Sequence, residues 1–291
     1  MNGVLLVDKI EGVTSAEVVR VVKRGLTGKK VGHLGTLDPF ASGLLPLCIG
    51  DGTKIAQFLI AEQKKYTGTI RLGIETDTLD ATGTILRQAP VPSYGLATLR
   101  DLERQFSGEY WQTPPMYSAI KRHGIPLYKL ARHGVEVERE ARQVIIEEFT
   151  LTPEGDHMLS FSLTCSKGTY VRALAADIGA ALGCGAHLAT LRRTAFGLFT
   201  VSEAVPFLIL RDRLERETLP LLSPSQALRH YRAVALSAEM TARLRHGQQE
   251  VLLTIAELGC ERETVKLLAP NGELVALVEQ RQGRWQLVRV L

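Results

Sequence analysis

The densest grouping of residues able to do chemistry surrounds Asp38. The stretch Val31-Gly32-His33-Leu34-Gly35-Thr36-Leu37-Asp38-Pro39-Phe40-Ala41-Ser42-Gly43 sets one carboxylate among glycines, which marks backbone packed tightly against itself or a ligand. The proline that follows biases Asp38 away from helical geometry and holds it extended, so its carboxylate can be aimed. An exposed Asp-Pro turn would look the same over two residues, but Phe40, Leu44, Leu45 and Leu47 make a poor solvent-facing flank. An aimed carboxylate in such a setting is a candidate for chemistry.

Further candidates lie downstream. Arg172 falls at the start of a predicted helix, where the macrodipole disfavours a cation; a carboxylate partner would offset that cost, and a solvated surface arginine is the competing reading. Tyr66 shares a strand face with Ile70 and Leu72 and reads as a core aromatic whose hydroxyl is satisfied at the edge. Tyr170 stands two residues before Arg172, and His33 is a lone histidine in the glycine-rich stretch. There is no Gly-x-Gly-x-x-Gly or Walker-type loop, so the chain offers no case for a nucleotide cofactor. Cys48, Cys165, Cys184 and Cys260 are scattered, without paired spacing or histidines arranged as metal ligands. Cys48 and Cys165 sit in apolar or alternating runs and read as buried thiols in a reducing compartment.

The elements that must position these groups show as patterns. Residues 3–7 form a short buried strand. Thr14 and Glu17 have capping-box spacing, and Val18, Val21, Val22 and Leu26 recur at helical intervals, predicting a helix over 15–24. A strand over 44–49, a short helix over 53–59, an alternating strand over 66–72 and a helix over 97–106 follow. Two more strands, 144–149 and 158–165, lead into a helix ending near Gly183. From about Ala233 the pattern gives short strands with little helix. There, Asn271-Gly272 between 265–269 and 273–278 suits a tight primed hairpin turn, and 285–291 makes a last strand. The expected fold class is α+β, with no regular βαβ rhythm: a body over 1–229 and a small β-rich domain over 233–291.

The 291 residues suffice for one large and one small domain; 45% are hydrophobic and 23% charged, an ordinary globular balance. A net charge of +4 permits a nucleic-acid partner without demanding one. The N-terminal apolar run is too short for a signal peptide, and no stretch approaches the ~20 apolar residues of a membrane span. A soluble, cytoplasmic protein is expected.

Gly32-His33-Leu34-Gly35-Thr36-Leu37-Asp38-Pro39, followed by Ala41-Ser42-Gly43-Leu44-Leu45-Pro46, resembles the catalytic motif of the TruB family of bacterial tRNA pseudouridine synthases. The resemblance continues in order: Val7-Asp8-Lys9 with Gly12-Val13-Thr14-Ser15; Lys65-Tyr66 with Arg71-Leu72-Gly73 and Thr76-Asp77-Thr78; Pro114-Pro115-Met116-Tyr117-Ser118-Ala119. Ser166-Lys167-Gly168-Thr169-Tyr170-Val171-Arg172 and Gly185-Ala186-His187-Leu188 before Leu191-Arg192-Arg193 complete it. Leu34 and Thr36 are small departures.

The resemblance implies a mixed, mainly antiparallel catalytic sheet and a C-terminal PUA-like RNA-binding domain. It implies breakage of the C1′–N1 bond of a T-loop uridine, rotation of the uracil and rejoining through C5, with neither cofactor nor metal. Asp38 would be the catalytic carboxylate, paired with Arg172. A glycosidase normally needs a second carboxylate; none lies in the motif, although Asp77 and Asp80 could fold near it. By resemblance Tyr66 would lie against the base as a general base, Tyr170 would stack or orient beside Arg172, and Leu191 would line the pocket. His33 would fill the gap left by the flipped nucleotide, since the reacting atoms are inaccessible in a stacked loop.

Residues 110–142 carry Lys121, Arg122, His123, Lys129, Arg132, His133, Arg139 and Arg142, with Trp111, Tyr117 and Tyr128 interleaved. Basic and aromatic side chains together suit a single-stranded RNA loop. In the family this region resembles the insertion that grips the tRNA T-arm, which favours a stand-alone monomer over a guide-dependent H/ACA-type subunit. An RNA-binding chaperone and a nucleoside hydrolase also compete. The set Asp38, Tyr66 and Arg172 weighs against a chaperone as the sole role, and no metal site supports a hydrolase.

Overall fold

Apolar and alternating runs become the strands of one large sheet. The computed structural model describes all residues except 61, 123, 256, 257 and 259–262, so His123 and Cys260 lie outside the described residues. The chain opens with β1 (Gly3–Lys9), α1 (Ser15–Gly25), β2 (Val31–His33), β3 (Ser42–Ile49), α2 (Ala56–Ile60) and β4 (Lys64–Leu72). It continues through β5 (Ile74–Thr76), β6 (Ile85–Gln88), α3 (Leu96–Phe106), β7 (Gly108–Gln112), β8 (Lys121–Arg122), β9 (Ile125–Pro126) and α4 (Leu127–Arg132). Then come β10 (Arg142–Pro153), β11 (Met158–Cys165), α5 (Val171–Ala181), β12 (Ala186–Phe196), β13 (Phe199–Thr200), β14 (Val205–Pro206), α6 (Leu210–Glu215) and α7 (Pro224–Ala227). The last elements are β15 (Arg232–Ala235), α8 (Ala238–Arg245), β16 (Thr264–Leu268), β17 (Leu274–Arg281) and β18 (Arg284–Val290).

The large sheet has the order β14-β1-β3-β12-β4-β11-β10-β7, with β2 on β3 and β13 on β12. Among the described strands of this sheet, only β1 with β14 and β3 with β12 pair in parallel, so the sheet is mixed and mainly antiparallel and the fold is α+β. One face is buried under α1, α3, α5 and α6, through Val18, Val22, Leu99, Leu102, Leu174, Ile178 and Leu210 against Leu5, Leu45, Leu47, Ile70, Leu163 and Leu188. Tyr66 lies on that face, while Thr67 turns to the other.

Thr14 caps α1 by accepting from Glu17 N at 3.1 Å, as the spacing predicts. The helix expected over 53–59 instead begins as a 3-10 turn over Gly50–Ile55 before α2. Gly52 packs so closely on β1 that a Cβ there would meet Gly3 O at 2.1 Å, and the tighter turn follows from that approach. No described helix is long and apolar enough to cross a membrane.

A second sheet, β15-β16-β17-β18, closes the chain. Its hairpin differs from the primed turn expected at Asn271-Gly272. Gly272 has φ +81° and Asn271 does not have positive φ, while Gly272 N donates to Ala269 O at 2.8 Å. This is a turn followed by a left-handed glycine, and Pro270 favours it by fixing φ in the negative region. The helix α8 is also more than the sequence pattern anticipates; Ser237 caps it, accepting from Met240 N at 3.1 Å. Leu274 and Leu277 pack with Val4, Leu44, Phe196 and Leu228, and Lys266 Nζ donates to Leu228 O at 3.2 Å, joining the second sheet to the body.

Candidate active site

Asp38 sits in the loop between β2 and β3, and both neighbouring ends of the fold hold that loop. From the N-terminal side, Ser15 Oγ donates to Leu37 O at 2.9 Å and accepts from Leu37 N at 2.9 Å. Gly12 N donates to Pro39 O at 2.8 Å. The buried Lys9 Nζ donates to Ile10 O at 2.9 Å and Val13 O at 2.8 Å, and reaches Pro39 O at 3.4 Å. The motif before α1 is thus a cradle for the carboxylate-bearing loop. From the opposite side, Arg193 on β12 donates through Nε to Leu44 O at 2.7 Å and through Nη2 to Gly35 O at 3.1 Å. Gly43 has φ +102°, and a Cβ there would lie 2.3 Å from Arg193 O, so the loop closes against β12 only with glycine.

Arg172, in the first turn of α5, points its guanidinium at Asp38: Nε lies 2.9 Å from Asp38 Oδ2. The same group donates to Thr78 O and Tyr117 O, each at 2.8 Å, and approaches Asp80 Oδ2 at 3.6 Å. Asp80 is buried and fixed, its Oδ1 accepting from Thr78 Oγ1 at 2.7 Å and from Thr82 N at 2.9 Å. The second carboxylate near the motif is therefore Asp80, whereas Asp77 meets Tyr117 Oη at 3.4 Å.

The Asp38 side chain is 36% exposed, yet its surroundings shift it upward. Burial pushes the carboxyl above its ordinary range, Arg172 and Lys9 pull it down, and Asp80 pushes it up again. Desolvation is the larger effect, and Arg172 limits it. Burial likewise brings Lys9 down to about 8.

Tyr66 stands directly opposite Arg193 across β4 and β12. Burial raises the Tyr66 hydroxyl above its ordinary value, and Arg193 opposes that rise by its charge and a hydrogen bond. Asp38 lies near enough to both Tyr66 and Tyr170 for its charge to push each upward. Tyr170 is the N-cap residue of α5. Leu191 is buried opposite Gly68 of β4, in the cluster that holds Leu37 and Tyr66.

His33 is on β2, and its Nδ1 is buried with no hydrogen-bond partner among the described residues. Burial, then Arg193, lowers its pKa. Lys121 and Arg122 are exposed on the hairpin of β8 and β9, where Arg122 Nη1 donates to Glu138 O at 2.7 Å. Arg193 has a structural part here that its residue type alone does not reveal. A buried arginine with no carboxylate partner among the described residues is found only from coordinates.

Residues 23–171, more than half of the chain, match the TruB family pseudouridylate synthase (N terminal domain), and residues 172–230 match the tRNA pseudouridylate synthase B C-terminal domain. The chain belongs to the TruB family. It is 41% identical to the tRNA pseudouridine synthase B of Geobacter sulfurreducens, covering 98% of this chain and 95% of that protein. It is 47% identical to the tRNA pseudouridine synthase B of Burkholderia mallei, covering 97% and 94%. Among solved structures, a chain of a Cbf5-Nop10-Gar1 complex superposes with TM-score 0.73 at 25% identity, covering 99% of this chain and 83% of that one. Leu34, a departure from the TruB motif, is buried with Leu44 and Phe196; Thr36, the second departure, is exposed.

Proposed function

We propose that this TruB-family enzyme isomerises a specific uridine in the T loop of tRNA to pseudouridine, acting alone. The observation that carries this is the ion pair of Asp38 with a buried Arg172, on a loop tied down at Leu37, Pro39, Gly35 and Leu44. A carboxylate held so firmly is preorganised toward a reacting atom. The relatives named tRNA pseudouridine synthase B supply the substrate class.

In this reading the target nucleotide leaves the loop stack and enters the recess beside Asp38. The carboxylate attacks or stabilises the reacting centre while the C1′–N1 bond breaks. The uracil leaves with the N1 electron pair, turns and rejoins through C5, any bond to the carboxylate breaking as the product is released; the C5 proton leaves and N1 takes up a proton. Tyr66, its hydroxyl faced by Arg193, is the base for a proton; Tyr170 orients the ring; Leu191 forms an apolar floor. His33 takes the flipped nucleotide's place in the stack. Lys121 and Arg122, exposed on their hairpin, neutralise T-arm phosphates. The C-terminal sheet serves as a PUA-like RNA-binding domain, and the enzyme works as a cytoplasmic monomer without a protein partner.

The test is tritium release from a T-arm hairpin labelled at uridine C5, with purified protein and no guide RNA. Release with pseudouridine retained in the RNA is expected. No release from the hairpin or from full-length tRNA would overturn the proposal, and free uracil would indicate hydrolysis instead.

A further inference from the structure

Gln112 ends β7 and opens the segment that leads to the basic hairpin. Its side chain is almost fully buried and pairs with the backbone of Tyr170, with the Tyr110 hydroxyl as a further hydrogen-bond partner. Nε2 donates to Tyr170 O at 2.9 Å, and Oε1 accepts from Tyr170 N at 2.7 Å. A side-chain amide thus closes a two-bond pair with a single residue's backbone, as a neighbouring strand would.

Tyr170 is where α5 departs. Among the described residues no side chain of the helix's own N-cap closes it there, and Tyr170 O already accepts from Leu174 N at 3.1 Å. The amide of Gln112 therefore supplies the external anchor of the helix start. The position of that start fixes two side chains at once: the Tyr170 ring, and Arg172 two residues on, whose guanidinium must reach Asp38, Thr78 O and Tyr117 O together.

We propose that Gln112 is a positioning residue of the active site, setting the first turn of α5 so that Tyr170 faces the nucleotide and Arg172 reaches Asp38. It touches neither substrate nor Asp38 and acts through Tyr170. This assignment rests on the roles given to Tyr170 and Arg172 above.

Two substitutions test it, Gln112→Met and Gln112→Glu. The first keeps length and volume but can make neither bond. The second makes both bonds only as the neutral acid, because a carboxylate accepts from Tyr170 N but repels Tyr170 O. The groups around this position are Tyr110 on the same strand, Arg142 opposite it on β10, and Asp177 and Arg172 on α5.

Single-turnover tritium release at saturating RNA and RNA affinity are measured together. Gln112→Met is expected to slow turnover by about 10–100-fold, as a displaced catalytic group does, with Kd within about threefold of wild type. Gln112→Glu is expected to be slow in mild alkali and to recover relative to wild type as pH falls and the acid becomes neutral. Should Gln112→Met fail to fold, the pH dependence of that ratio decides alone. A wild-type rate in Gln112→Met, a loss of affinity in place of turnover, or a ratio for Gln112→Glu that ignores pH would each overturn the assignment. No release by wild type overturns the functional reading and this assignment with it, whereas release by wild type and Gln112→Met alike overturns the assignment only.

Discussion

Arg172 meets Asp38 through Nε at 2.9 Å while its Nη groups are committed to Thr78 O and Tyr117 O, so the guanidinium cannot turn away from the carboxylate without losing backbone bonds. All five of its donors sit on one rigid plane, a property lysine lacks. The geometry makes Arg172 a fixed counter-charge in a place where burial works against the anion.

Removing that charge should therefore shift the acid limb of the reaction. An acid that works as its anion loses activity as pH falls through its pKa. Burial and Asp80 already raise the Asp38 pKa, and Arg172 holds it back. Arg172→Met should slow single turnover by about 100-fold, in line with a misplaced catalytic group, and move the acid limb to higher pH. Arg172→Lys should move it less. A pH–rate profile checks both, and an unmoved limb in Arg172→Met would exclude this role.

Ser15 makes two hydrogen bonds with the residue before Asp38, both buried. Ser15→Ala leaves the Leu37 N–H and C=O without that partner. The expected loss of stability is about 1–3 kcal/mol, the cost of unpaired buried polar groups. Urea unfolding with an unchanged m-value would show it.

Lys9 offers a pH test of stability. Its folded pKa is lowered to about 8 from 10.5, so between those values the unfolded chain holds a proton that the fold does not. Stability contributed through Lys9 must then rise with pH across that window. Lys9→Met should flatten the rise, measured as thermal or urea stability in steps from pH 8 upward. An identical slope in wild type and Lys9→Met would contradict the burial of a titrating amine.

Gly43→Ala and Gly28→Ala separate backbone strain from collision. Both glycines have positive φ, but a Cβ at Gly28 meets nothing within 4 Å, whereas at Gly43 it strikes Arg193 O at 2.3 Å. Gly28→Ala should cost about 1 kcal/mol, from the left-handed conformation alone. Gly43→Ala should cost well beyond that, seen as a lower Tm or loss of soluble protein.

Local signals in the sequence carry much of the fold. Thr14, Val18 and Val22 announce α1, the alternation from Tyr66 to Leu72 announces β4, and the glycines around Asp38 announce a tight loop. Local periodicity reports which face is buried, and no more. The rest depends on chain segments far apart in sequence. Nothing at position 193 distinguishes a buried arginine opposite Tyr66 from an exposed one. Gln112 and Tyr170 are likewise joined only through the sheet. The 3-10 turn over Gly50–Ile55 arises from contact with β1, which no window of sequence contains. The Asn271-Gly272 pair fits two hairpin geometries, and the preceding Pro270 decides between them.

The central claim, that Asp38 is the group on which the isomerisation turns, is tested most directly by Asp38→Asn in the single-turnover assay with C5-labelled T-arm RNA. The substitution keeps the shape of the side chain and removes the carboxylate. Turnover should vanish while RNA affinity stays within about threefold of wild type, since binding is carried by phosphate contacts elsewhere. Rapid turnover by Asp38→Asn would contradict the account, whatever else in the site were intact.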